Sequence, residues 1–162
     1  MPPITANLRN QEALHRAVPM LQKDAMAAAT NPHPLARFIK YWIPVIIYAI
    51  LIFCVSATPG EDIPSLFPNQ DFLAHALEYF IFALLINRAL KQYFPLFSFK
   101  KRFLYVSVIA IVYAASDEFH QMFVPNRYCS ALDLLCDSFG VFIASHMYRY
   151  IFEKKAHASS AA

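Results

Sequence analysis

Glycine is almost missing from this chain. Only Gly60 and Gly140 occur in 162 residues. A turn-rich β architecture needs many backbone positions at positive φ, which glycine supplies most cheaply, so the shortage argues against one. Charge is scarce as well: Asp, Glu, Lys and Arg make up 15% of the chain, against 58% hydrophobic residues. Ordinary soluble domains carry nearer a quarter charged. The net charge of +3 is too small to imply nucleic acid, and no basic helix or aromatic platform supports that partner. Cysteine is limited to Cys54, Cys129 and Cys136, an odd number without C-x-x-C spacing. That disfavours a disulfide framework or a zinc ribbon, and small buried hydrophobes are the plainer expectation. The opening segment holds no continuous apolar core of the kind a cleavable signal peptide has.

What remains is apolar and organised in runs. Residues 1–36 are mixed in charge, alanine-rich and broken by Pro19, Pro32 and Pro34, and read as a frayed or partly helical cytoplasmic tail. From Lys40 onward four apolar stretches follow, at 41–57, 71–90, 103–119 and 130–152. A helix crosses the hydrocarbon core with roughly 17–25 residues, so all four lengths fit. Backbone polar groups cannot be left bare in lipid, which makes each span helical. Pro44 falls in the first turn of the first span, where proline is tolerated. The expectation is an all-α polytopic membrane protein, a compact bundle of four transmembrane helices over residues 37–155. Residues 156–162 read as a disordered tail.

Charge asymmetry orients that bundle. Thirteen of the fourteen Lys and Arg residues fall on one side, and Arg127 alone falls on the other. By the positive-inside rule both termini are cytoplasmic. Trp42, Tyr41, Tyr93, Tyr148 and Tyr150 sit where an inner aromatic belt belongs. The loops at 58–70 and 120–130 then face outward.

The polar residues gather at that outer face. With Asp71 at the surface, His75 lies about 6 Å and Glu78 about 10 Å deeper along a helix. Asp71, His75 and Glu78 share one helical face at i, i+4, i+7. Asp133 and Asp137 form a similar stripe with the small pair Gly140 and Ala144. Tyr113 and Asp117, with either His120 or Gln121, continue the pattern on the third span. Such carboxylates are expensive in lipid, so they are expected to face one another around a polar cavity.

With those residues assembled, the chain resembles the VanZ-like family of small bacterial membrane proteins over roughly residues 41–150. DEFHQMFVPNRYCSALDLLCDSFG is similar to the family's D-E-x-H-Q-x-F-V-P-G-R…D…D/N…G signature. DFLAHALEY is similar to its D-K-x-x-H-x-x-x-Y element, through Asp71, His75 and Tyr79. Phe72 replaces the usual lysine and Asn126 the usual glycine, and asparagine tolerates left-handed backbone better than most residues. The family's founding member is associated with low-level teicoplanin resistance, so the resemblance implies a cell-envelope role and brings no reaction with it.

Two readings of the polar layer compete. In one it is only a hydrogen-bonded core, with Arg127 paired to Glu118 or Asp133 and His120 oriented by Asp117. In the other it is a site. Six carboxylates (Asp71, Glu78, Asp117, Glu118, Asp133, Asp137) face the single cation Arg127, so either protons or a divalent cation must balance them. Asp117, Glu118 and His120 are the candidates for acid–base chemistry. His75, Glu78, Tyr79, Gln121, Arg127, Asp133 and Asp137 are the candidates for binding a lipid-linked envelope precursor or a lipid head group. His75, His120 and Glu118 could supply three zinc ligands, although no H-E-x-x-H spacing supports the set. A proton-coupled carrier or a structural membrane partner is the alternative. Against the carrier, the cytoplasmic halves show no matching polar layer in sequence, and no inverted repeat is evident.

Overall fold

A computed structural model of the chain describes residues 33–64 and 67–154, with His15, Val18, Pro19 and Gln22 besides; of Glu153 and Lys154 only the backbone is described. The chain divides into two units, 1–37 and 38–162. Most of the expected N-terminal tail, and all of the expected tail at 156–162, lie outside the described residues.

Every regular element among the described residues is helical: α1 Pro34–Tyr41, α2 Ile43–Ser56, α3 Gln70–Tyr93, α4 Phe99–Gln121 and α5 Ala131–Arg149, then a π-helical turn at Tyr150–Lys154. Helical hydrogen bonds run from Trp42 N–H to Phe38 and from Ile46 N–H to Trp42. They carry the helical path across the α1–α2 break, where Pro44 removes one amide. Proline also follows α3, at Pro95. Helix α4 starts on Ser98, whose hydroxyl accepts the Lys101 N–H at 3.3 Å, and α5 starts on Ser130, which accepts the Asp133 N–H at 3.3 Å.

Three stretches are long and apolar enough to cross a membrane: Pro34–Ser56, Gln70–Tyr93 and Phe99–Gln121. The fourth helix, α5, has 19 residues and carries Asp133, Asp137 and Arg149. The packing is inverted relative to a water-soluble bundle. Ile47, Val112 and Phe139 are about 60% exposed or more, while Asp117, Glu118, Asp137 and Arg102 are buried. Lipid suits such a surface; water does not.

Helices α3 and α5 approach most closely at Gly140. A Cβ there would stand 2.2 Å from the Ala76 carbonyl oxygen, so only glycine lets the backbones meet. The loops that follow α2 and α4 clasp each other. Gly60 N–H donates to the Pro125 carbonyl at 3.0 Å, the Asn126 amide to Glu61 at 3.2 Å, and Arg127 Nε to the Thr58 carbonyl at 3.3 Å. Asn126 is left-handed at φ 56, the conformation for which the usual glycine would serve.

Three sequence expectations need correcting here. Cys54 and Cys129 are exposed and Cys136 is half-buried, all as free thiols. Cys54 and Cys136 occupy helices whose apolar residues turn outward, so apolar character does not make them core. Arg102, just outside the third apolar stretch expected at 103–119, lies within α4 and is fully buried. The half expected to be cytoplasmic also holds a polar cluster of its own. Asn87 donates to the Ala83 carbonyl at 2.9 Å and to Ser145 Oγ at 3.1 Å, and accepts from Arg102 Nε at 3.4 Å.

Candidate functional site

Helix α3 supplies the wall of a cavity. Asp71, Ala74, His75 and Glu78 lie on one of its faces, as the i, i+4, i+7 spacing requires. The end of α2, the loop after it, Gln121 and Arg127 close the space, leaving about 290 Å³. Arg127 is the only lysine or arginine in the lining.

His75 links that cavity to the buried acids. Its Nδ1 lies 3.1 Å from Asp137 Oδ1, a hydrogen bond in which the ring N–H donates to the carboxylate. On the far side of the ring, Nε2 lies 4.0 Å from Asp133 Oδ2. An imidazole held between two carboxylates is fixed in orientation.

Helix α4 brings its own pair inward. Gln121 Nε2 donates to Asp117 Oδ2 at 3.3 Å, so Gln121 both lines the cavity and holds a buried acid. Glu118 Oε2 accepts the Ser130 backbone N–H at 2.7 Å. Glu118 thereby anchors the residue that caps α5, joining the two helices at the point where the site is built. Its second oxygen, Oε1, is buried without a hydrogen-bond partner. Asp117 Oδ1 has no hydrogen bond of good geometry, with Ser56 as the neighbouring hydroxyl.

The residues singled out in sequence thus separate into groups. His75, Glu78, Gln121 and Arg127 line the cavity. Asp117, Glu118 and Asp137 are buried beside it, and Asp133 is half-buried. Tyr79 is fully buried with its hydroxyl unpartnered, and it does not line the cavity. His120 packs its ring on Phe53, with centroids 4.4 Å apart, and its Nδ1 is unpartnered. Gln121, not His120, continues the inward stripe of Tyr113 and Asp117. The pairing of Arg127 with Glu118 or Asp133 does not form. The Arg127 Nε is spent on Thr58, and the ion-pair partner of Asp133 and Asp137 is His75.

The ligand atoms of His75, Glu118 and Asp137, one residue from each of three helices, all lie within 4.8 Å of one another. Of the three residues singled out for zinc in sequence, the fold brings His75 and Glu118 into this group, with Asp137 as the third member. Sequence reasoning passed over Thr58 and Ser130. Both act through loop or cap contacts that only the fold reveals. Asp62 also lines the cavity, and Glu61 accepts from the Asn126 amide.

No curated protein and no solved structure matches the chain. A family match, by contrast, covers residues 41–153, which takes in α2, the cavity, the loops after α2 and α4, and α5. Since that stretch exceeds half of the chain and contains every residue of the site, the chain belongs to the VanZ/LLP1 family.

Proposed function

We propose that the chain is a four-span protein of the bacterial cytoplasmic membrane, with both termini inside. Its outward-facing cavity binds the head group of a lipid, either a lipid-linked cell-wall precursor or a membrane phospholipid. The observation that supports this most is the continuity of the polar cavity with apolar grooves. The cavity shares Ile63, Pro64, Asp71 and Ala74 with a neighbouring groove, which adds Leu73 and Leu77. Those two leucines also wall a third groove, running between Phe80 and Phe139 over Gly140. A ligand with a polar head and a long apolar chain matches that sequence of surfaces. Arg127 offers forked donors to an anionic head, and His75 offers a donor from the opposite helix.

An envelope role is part of the same reading. Expression in a susceptible host is expected to raise teicoplanin tolerance, and Arg127→Gln is expected to abolish the gain.

The carrier alternative gains one observation, the buried Asn87–Arg102–Ser145 cluster in the inner half. It still lacks a path. Glu78 and Asn87 are nine residues apart on α3, about 13.5 Å. Tyr79, Phe82, Ala83 and Ile86 are buried between them. A proton flux in liposomes that Asp117→Asn abolishes would favour the carrier over the binding site.

The direct test is native mass spectrometry of the purified chain, titrated with a prenyl phosphate and with a phospholipid in turn. One lipid per chain is expected. Arg127→Gln removes a charge-assisted contact worth about 1.5–3 kcal/mol, or roughly 10–100-fold in affinity. Preference between the two probes separates precursor from phospholipid. Equal binding of both probes by wild type and Arg127→Gln would remove the basis for a head-group site.

A further inference from the structure

The buried acids beside the cavity carry an inference that stands apart from the lipid reading. His75 on α3, Glu118 on α4 and Asp137 on α5 converge within 4.8 Å, and all three are buried. Ligands held about 2.0–2.2 Å from one divalent ion stand roughly 3–3.5 Å from each other. The His75–Asp137 separation of 3.1 Å already lies in that range.

Two further observations point to a cation. Glu118 is only 3% exposed, and its Oε2 is held by Ser130 while its Oε1 has no partner. A buried unsatisfied acceptor is destabilising, the more so when charged. Charge gives the second. Glu78, Asp117, Glu118, Asp133 and Asp137 crowd together, and among the described residues the ion pairs offered to them come from His75 alone. Arg127 acts on Glu78 across the cavity, but among the described residues no lysine or arginine forms an ion pair with these carboxylates. The single imidazole in the set favours transition metals over the all-oxygen preference of calcium and magnesium.

We propose that His75, Glu118 and Asp137 hold a divalent transition-metal cation of the zinc or manganese class. Asp133 is a positioning residue, facing the ring nitrogen that the metal does not use. Carboxylates in that place orient a ligating histidine and strengthen it as a donor. Glu118 has a double duty: one oxygen fixes the start of α5, and the other reaches the ion. The metal therefore ties three helices together at the site.

The test uses the full chain in lipid nanodiscs, stripped with chelator and then given Zn²⁺ alone or Mn²⁺ alone. Bound metal is counted after desalting, and the melting temperature is followed with and without the ion. One cation per chain is expected, with a rise in melting temperature. His75→Ala, Glu118→Gln and Asp137→Asn are each expected to weaken binding by about 100-fold or more, and Asp133→Asn by roughly 10–100-fold. Glu61→Gln, in the outer loop, is expected to bind as wild type does. Where His75→Ala fails to insert, Glu118→Gln has nearly the same volume and carries the test. Wild type that takes up neither ion and shows no melting shift overturns the proposal, as does full uptake by Glu118→Gln and Asp137→Asn. Lipid binding lost while metal is retained would sink the head-group reading alone.

Discussion

At the scale of single residues, His75 and His120 illustrate what spacing can and cannot decide. The placement of His75 followed from Asp71 and Glu78 on the same helical face, and its ring does reach both the cavity and the acids. His120 and Gln121 are adjacent, about 100° apart around the helix, so either could have continued the stripe. Phe53, on another helix, settles the matter by taking the His120 ring. No local pattern encodes that contact. Asn126 was readable from chemistry, because it stands where the family has glycine and adopts φ 56. Asn126→Gly is expected to fold normally, losing only the bond to Glu61. Asn126→Val is expected to lose about 1–2 kcal/mol from the left-handed strain, and a thermal melt in detergent measures the difference.

Among elements, the packing of α3 against α5 sets the geometry on which the site depends. Gly140 lets the backbones touch at Ala76, bringing Asp137, nearly one turn earlier on α5, against His75. Gly140→Ala is expected to destabilise the bundle by about 1–3 kcal/mol through overpacking and to weaken ligand binding with it. The stripe of small residues was legible in sequence because glycine is so rare here. Burial of Arg102 was not. Lys100, Lys101 and Arg102 form one basic run, and only the packing of α4 turns Arg102 inward while both lysines stay exposed. Asn87→Ala removes the amide that joins α3, α4 and α5 in the half of the bundle away from the cavity. It is expected to lower the melting temperature, by about 1–3 kcal/mol of stability, and to leave head-group binding at the outer cavity unchanged. A matching loss of lipid affinity would show that the two polar layers are coupled.

For the whole molecule, the inversion of polar and apolar residues follows from composition and was the easiest feature to foresee. Four apolar runs became the four long helices, with α3 and α4 extending beyond their runs because Gln70, Lys91 and Phe99–Arg102 continue the hydrogen-bonding pattern. The joining of the loops after α2 and α4 through Gly60, Asn126 and Arg127 was not readable, since it is tertiary and involves mostly backbone groups. Orientation can be checked with Cys129, an exposed thiol in the second of those loops. In a Cys54→Ser, Cys136→Ser background, a membrane-impermeant maleimide added to spheroplasts is expected to label Cys129. Lys100→Cys, in a chain without other cysteines, is expected to react only after the membrane is opened. The reverse pattern would place the cavity on the cytoplasmic side.

The most direct measurement is an experimental density map of the chain in nanodiscs made from native lipid. The predicted result is density for a polar head between Arg127 and His75, with a chain passing Leu73 and Leu77 toward Phe139. A cavity holding water alone, or closed by Arg127 turned onto Glu118, would contradict the head-group site.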